Sequence, residues 1–280
     1  MNHSNMTKPE HKDNYSFNDS VDNGRKSGHA SYEQKEAINR YLLRYWGERN
    51  DIWPSRYEGK FPKPGVDDFA QKCVNLVLEY TTAYDSLIDI GCAAGRTSFD
   101  LAKHFKQIVG IDYSHGLINA ANTLKEKGEM TYRSKSTGSE QVDKKAIIDP
   151  QIDRTRLHFE QGDGSNIDPK YHNFDAVLHA NVLCRLPDPE AGLLRLQGEN
   201  GLVKPGGIVV MTTPFSWLEQ YTPQAKWLNQ GIEDVKAILS EFELLHTEDI
   251  PMLFREHSRK FEYVIPLASI WRRKEKLRNE

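Results

Sequence analysis

The stretch LIDIGCAAGRTS, residues 87–98, decides the fold. It reads as a buried strand end, a glycine turn and a helix start. Ile88 and Ile90 supply β-branched strand positions, and Asp89 stands beside the turn. Gly91 and Gly95 let the backbone approach a ligand that a Cβ would exclude, with the small Cys92 and Ala93 between them. Thr97 and Ser98 are placed to cap the helix that follows. Such a turn receives a nucleotide-like ligand at the carboxyl edge of an open α/β sheet.

Outward from this turn, strand-like runs at 86–90, 107–112, 157–161, 174–180 and 207–213 alternate with helical patterns at 97–104, 116–127, 189–202 and 231–241. That alternation predicts a mostly parallel sheet covered on both faces. Upstream, residues 33–45 carry Ile38, Leu42 and Tyr45 at helical spacing with Tyr41 beside them. A turn-rich connector with Pro54, Pro62 and Pro64 occupies 53–65, and 67–80 is an amphipathic helix burying Phe69, Val74, Val77 and Leu78. At the other end, 242–250 and 261–271 are strand-like and joined by a polar loop, which predicts an antiparallel hairpin closing the sheet. Residues 134–156 are hydrophilic and aperiodic, the pattern of a surface insertion. Residues 1–30 balance four basic against four acidic side chains and offer almost nothing to bury, which reads as a disordered tail before one domain at 31–280.

With 38% hydrophobic and 28% charged residues, the 280-residue chain can bury a sizeable core, and its net charge of −3 offers no footprint for nucleic acid. The basic cluster Arg272, Arg273, Lys274, Lys276 and Arg278 reads as a solvated tail. No apolar run approaches the ~20 residues of a membrane span, and the N-terminus lacks the apolar core of a secretion signal. Cys73, Cys92 and Cys184 are too far apart for a zinc site and odd in number, so no disulfide framework or metal site is expected. The expected home is the reducing cytoplasm, and Cys92 is read as a packing residue rather than a reactive thiol.

Dinucleotide and methyl-donor folds both follow the glycine turn with an acid about 20 residues on, which holds ribose hydroxyls. Here that acid is Asp112, with Tyr113 after it. Three features separate the two. The turn is Gly-x-x-x-Gly rather than Gly-x-Gly-x-x-Gly. A second acid, Asp163, follows the next strand in FEQGDGSN with Gly164 beside it, placed to accept from an adenine amino group. The closing antiparallel hairpin suits a seven-stranded sheet. Asp89, Gly91, Gly95, Asp112, Asp163 and the KPGG turn at 204–207 together resemble class I S-adenosylmethionine-dependent methyltransferases. The resemblance implies a seven-stranded, mostly parallel Rossmann-like α/β sheet and S-adenosyl-L-methionine as cofactor. A nicotinamide oxidoreductase is the competing reading of the turn alone.

The segments RYLLRYWG, NVLCRLPDP, TTPFSWLEQYTPQAKWL, FREHSRKFEYV and ASIWRR narrow the likeness. From about residue 32 to residue 273 the chain resembles the C-terminal methyltransferase domain of ovothiol-biosynthesis enzymes. The resemblance implies transfer of a methyl group to the imidazole ring of 4-mercaptohistidine (5-thiohistidine), the last step of ovothiol synthesis. In fused members this domain follows an iron-dependent sulfoxide synthase. These 280 residues contain no such module, so a separate synthase is the expected functional partner, alongside the small-molecule substrate. A methyltransferase for another small molecule and a non-catalytic cofactor-binding partner of the synthase are the alternatives.

On this reading Tyr45, Cys92, Ala93 and Asn181 join the cofactor residues. Asn181, at a strand end, is either a site residue or a cap. Arg185 and Arg255 are candidates to occupy the substrate sulfur so that nitrogen is methylated. Arg255, Arg259 or Lys260 could hold the carboxylate and Glu219 or Glu256 the ammonium, and Glu256 or His257 could take up a proton. Tyr41 and Trp217 are candidate substrate contacts, with Trp227 the more natural packing anchor.

Overall fold

Burial along residues 86–90 sets the layers. Leu87 and Asp89 point to one side of the sheet, Ile88 and Ile90 to the other, and all four are at most 2% exposed. A strand buried on both faces must have helices above and below it. The computed structural model describes residues 29–60 and 68–275, and most of the tail expected at 1–30 lies outside them. A 3-10 turn at His29–Glu33 leads into helix α1 (Lys35–Trp46), the short α2 (Arg49–Ile52) and α3 (Phe69–Tyr80). Strand β1 (Ser86–Ile90), α4 (Arg96–Leu101), β2 (Gln107–Asp112) and α5 (His115–Lys127) follow. After the pair β3 (Glu129–Lys135) and β4 (Gln141–Ile147) come β5 (Leu157–Gln161), β6 (Phe174–Ala180), α6 (Pro189–Leu194) and β7 (Val203–Thr213). The last elements are α7 (Ile232–Ile238), β8 (Phe242–Asp249), β9 (Met252–His257), β10 (Lys260–Val264) and β11 (Leu267–Arg273).

Seven strands form the main sheet in the order β5-β2-β1-β6-β7-β11-β8. Strands β5, β2, β1, β6 and β7 pair in parallel, and β11 runs antiparallel between β7 and β8. The α/β, seven-stranded, mostly parallel architecture is therefore the one expected. Helices α1, α3, α4 and α5 cover the face bearing Leu87 and Leu178. Residues of α6 and α7 cover the face bearing Ile88, Val177 and Trp271.

Several boundaries differ from expectation for identifiable reasons. Asp68, rather than residue 67, starts α3, its carboxylate accepting from the Ala70 and Gln71 amides at 3.1 and 3.3 Å. The 189–202 helix stops at Leu194, because Arg195 donates to the Ile167, Asp168, Tyr171 and Asn200 carbonyls and ties the chain down there. The KPGG segment is not a turn before a strand but an irregular part of β7, with a register shift opposite β6.

The 261–271 run is two strands. Pro266 has no amide to donate, so pairing with β9 ends at Val264 and the chain crosses to the main sheet at Leu267. The hairpin in the 134–156 region begins earlier, at Glu129, and buries Tyr132, Ser134 and Ala146 against α1 and the core while their neighbours face out. The basic cluster is likewise not all a solvated tail. Arg273 is 3% exposed and binds Glu241 Oε2 at 2.6 Å, and Arg272 donates to the Tyr80 carbonyl at 2.9 Å. Residues 276–280 lie outside the described residues.

Asp89 joins β1 to α4. Thr97 and Ser98 do not cap the helix; both hydroxyls donate to Asp89 Oδ2 at 2.7 Å. Burial pushes this carboxyl up to about 6, against the two hydroxyl bonds that favour its ionised form. A raised carboxyl contributes stability below its unfolded value near 4 and loses it as pH rises through about 6. Asp89→Asn keeps the acceptor and removes the charge. Its stability relative to the parent should therefore improve by about 2 kcal/mol between pH 4.5 and 7.5, measured by denaturant unfolding. A stability difference independent of pH would contradict this.

Candidate functional site

A cleft of about 430 Å³ runs along the carboxyl edge of β1, β2 and β6. Its floor is the turn after β1. The Gly91 and Cys92 amides donate to the Ile111 carbonyl at 2.7 and 3.0 Å, which bends the chain back over β2. Gly91, Ala93 and Gly95 adopt φ of 74°, 50° and 88°, so three of five residues sit in the left-handed region. The Ala93 amide donates to Asp112 Oδ2 and the Ser114 amide to Oδ1, each at 2.9 Å. One carboxylate thus ties the β1 turn to the β2 loop.

The glycines serve packing against the protein itself. A Cβ on Gly91 would lie 1.9 Å from Val182 Cγ2, and one on Gly95 would lie 2.7 Å from Phe159 Cζ. Gly91 and Ala93 line the cleft, whereas Asp89, Cys92 and Gly95 lie behind them. The Cys92 thiol is 4% exposed and burial pushes its pKa well up, the state of a packing residue.

Asp112, Tyr113, Asp163, Gly164, Tyr45 and Asn181 all line the cleft. Burial pushes the Asp112 carboxyl up to about 6, opposed by the two amide bonds. Each of its oxygens accepts one amide and keeps a lone pair for a further donor. Asp163 Oδ1 accepts from the Ser165 amide at 2.9 Å, which orients that side chain. Burial raises the Tyr41 and Tyr45 phenols, so both rings stay neutral donors.

Asn181 ends a strand at the cleft wall. It ends β6 at φ 57°, its amide donating to the Thr212 carbonyl at 2.8 Å, and it lines the cleft. Its Oδ1 accepts from the Thr212 hydroxyl at 3.0 Å, while Nδ2 meets only Met252 Sδ, at 2.8 Å. A thioether is a weak acceptor, so that amide donor is cheaply released.

The remaining expected residues divide. Tyr41 and Arg185 line the cleft. Arg185 is already committed: Nη1 donates to the Cys184 and Ser216 carbonyls at 2.9 and 2.6 Å, and the guanidinium lies over the Tyr221 ring, 5.2 Å from its centroid. Arg255 is not in the cleft. The segment read as a polar loop is the β9–β10 ribbon, where side chains alternate between faces. Met252 and Phe254 face the cleft, while Arg255 turns away and donates to the Asp51 carbonyl. Glu256 pairs with Lys260 Nζ at 2.7 Å, which holds its carboxyl below the usual range and makes it a poor base. Arg259 is exposed in the ribbon turn, and Trp217 packs on the α6–α7 side of the core. Trp227 is an anchor, its indole donating to the Thr222 carbonyl at 2.8 Å.

The cleft also holds residues that sequence reasoning did not single out. The Tyr32 and Tyr221 rings meet at 5.8 Å, tilted by 36°, and Phe254 meets Tyr41 edge-on at 5.6 Å. Arg40, Glu36 and Glu262 add charge of both signs. Arg40 and Glu36 were legible in principle, lying one turn apart beside Tyr41 on a helix already assigned to the site. No group of three or more residues able to hold a metal occurs among the described residues, and none of their helices is long and apolar enough to cross a membrane.

Residues 88–211 match the family model described as a methyltransferase domain. No curated protein sequence matches the chain. Among solved structures, the [4+2]-cyclase SpnF superposes with a TM-score of 0.53 at 16% identity, covering 88% of this chain and 95% of that one. A protein studied for conversion of a disulfide bond into a thioacetal group during echinomycin biosynthesis gives 0.50 at 15% identity, covering 82% and 94%. The N-methyltransferase NodS from Bradyrhizobium japonicum, in complex with S-adenosyl-L-homocysteine, gives 0.46 at 18%, covering 85% and 99%. At these identities the likeness is one of fold.

The Gly91–Val182 contact gives a direct check on the turn. Gly91→Ala should cost about 2–4 kcal/mol through overlap and left-handed strain. Val182→Ala in the same chain should recover at least about 1 kcal/mol of that in a double-mutant cycle read by urea unfolding. Simple additivity would mean that the contact does not set the requirement for glycine.

Proposed function

We propose that this S-adenosylmethionine-dependent methyltransferase acts on the imidazole ring of 4-mercaptohistidine, with an iron-dependent sulfoxide synthase as the separate source of its substrate. One observation carries the reading. The acceptor half of the cleft combines the cations Arg40 and Arg185, the acids Glu36 and Glu262, and the rings of Tyr41, Tyr221 and Phe254. That lining suits a zwitterionic amino acid with a flat side chain. The likeness of the outer segments to the ovothiol methyltransferase domain supports the same substrate.

The residues present fit the cofactor. Asp112 keeps lone pairs for ribose hydroxyls, and Asp163 stands at the next strand end for the adenine amino group. Gly91 and Ala93 present the turn backbone, and Tyr45 closes the side. When bound, S-adenosylmethionine supplies a methyl group already made electrophilic by its sulfonium. The protein's task is alignment and exclusion of water. A neutral imidazole nitrogen attacks with its own lone pair, so no strong base is required, in keeping with Glu256 being bound to Lys260. Methylating nitrogen beside a more nucleophilic sulfur then depends on orientation. Asn181 is assigned that part: its Nδ2 exchanges the Met252 thioether for the substrate sulfur and turns the ring nitrogen toward the methyl group.

Incubation with S-adenosylmethionine and 5-thiohistidine, with products read by mass spectrometry and NMR, should give the N-methylated ring. Asn181→Ala should lower kcat roughly 10- to 100-fold and raise the S-methyl share. Cofactor binding without any methylated product would leave another acceptor, or a non-catalytic role beside the synthase.

A further inference from the structure

Arginines near the cleft are mostly spent. Arg185 is held by carbonyls and by the Tyr221 ring. Arg96 pairs with Asp100 at 2.7 Å and reaches Asp68 at 3.6 Å. Arg44 is buried against the Phe69 ring, and Arg255 donates to a carbonyl on the far side of its ribbon. Arg40 differs. It lines the cleft from α1, as Arg44 and Arg255 do not, and makes no ion pair with any described residue; its Nε, like theirs, is buried without a hydrogen-bond partner. Glu36, one helical turn earlier, is not paired with it, and Glu256, whose carboxyl feels the Arg40 charge, is taken by Lys260. A buried guanidinium donor left unpaired costs about 1–3 kcal/mol, which an incoming anion would recover. Its planar fork matches a carboxylate in two parallel hydrogen bonds.

Position along α1 says which anion. Tyr45 feels the Asp89 and Asp112 charges and so lies toward the donor half, while Tyr41, which feels Asp112 as well as Arg185 and Tyr221, stands between the halves. Arg40 instead interacts with Glu256 of the β9–β10 ribbon, which bounds the acceptor half together with Phe254 and Glu262. We propose that Arg40 is the acceptor-carboxylate subsite, selecting an α-amino acid over its decarboxylated amine. This rests on the acceptor class argued above and adds the residue that reads its carboxylate. The ammonium end then falls to Glu36 or Glu262 across the same half of the cleft.

The test compares Arg40→Gln and Arg40→Lys with the parent on 5-thiohistidine and on its decarboxylated amine, with S-adenosylmethionine affinity followed by calorimetry. Losing a charge-assisted pair should raise KM for the amino acid roughly 10- to 100-fold in Arg40→Gln, with kcat nearly kept and Arg40→Lys intermediate. The amine should be turned over equally by parent and variant, and cofactor affinity should not move. An equal loss on both acceptors, or weakened cofactor binding with KM unchanged, would overturn the assignment. A binding arm stands apart from turnover: calorimetry of histidine and histamine in the presence of S-adenosyl-L-homocysteine. The parent should prefer histidine and Arg40→Gln should not. That preference in a protein inactive on thiohistidine would keep the subsite while rejecting the substrate, and its absence from the parent would reject the subsite.

Discussion

The Asp112 carboxylate is the constraint on which the site depends. It accepts the Ala93 amide from the turn after β1 and the Ser114 amide at the start of α5. Those two bonds fix the gap between the β1 and β2 edges, the crevice in which open α/β sheets bind ligands. The same burial raises the carboxyl to about 6, and Asp89, one strand away, is raised to about 6 for the same reason. Keeping two acids under one turn costs folding energy near neutral pH. Asp89 offsets its share by tying α4 to β1, whereas Asp112 leaves lone pairs facing the cleft.

How much of this was legible depends on what each residue packs against. Strands β1, β6 and β7 could be read because both faces are buried and their sequences run almost continuously apolar, while the edge strand β5 shows instead the alternation of buried Leu157 and Phe159 with polar neighbours. Asp112, Asp163 and Asn181 could be placed because strand ends on a parallel sheet all face the same crevice. The β9–β10 ribbon could not, since its polar residues match a loop as well as an exposed strand. Arg255 was misplaced for that reason: in a loop any side chain can turn inward, but in a strand the neighbour of Phe254 must turn out. The β3–β4 pair was hidden because one tyrosine, one serine and one alanine make up its inward face, too little apolar alternation to see. Gly91 and Gly95 stand out in the turn pattern, but the packing of Val182 and Phe159 that leaves no room for a Cβ at either position depends on residues far off in sequence and was not legible.

The fold sets where the chemistry happens and leaves open what is changed. A [4+2]-cyclase shares this architecture, so the sheet and its turn do not specify the acceptor. The rest of the cleft lining comes from parts added around the sheet: the N-terminal turn with Tyr32, helix α1 with Arg40 and Tyr41, and the β9–β10 ribbon with Met252 and Phe254. These pieces come from opposite ends of the chain and meet over the same crevice. Arg185 links two of the walls, bonding the Ser216 carbonyl while its cation covers Tyr221.

On the proposed function, it is an ionised Asp112 that holds the methyl donor. The direct measurement is the Kd of S-adenosylmethionine by calorimetry from pH 5 to 7, for the parent and for Asp112→Asn. With the carboxyl at about 6, affinity in the parent should tighten roughly fivefold to tenfold across that range. Asp112→Asn should bind more weakly and without that slope. A parent whose affinity does not change with pH, or an Asp112→Asn protein that binds as tightly, would contradict the account.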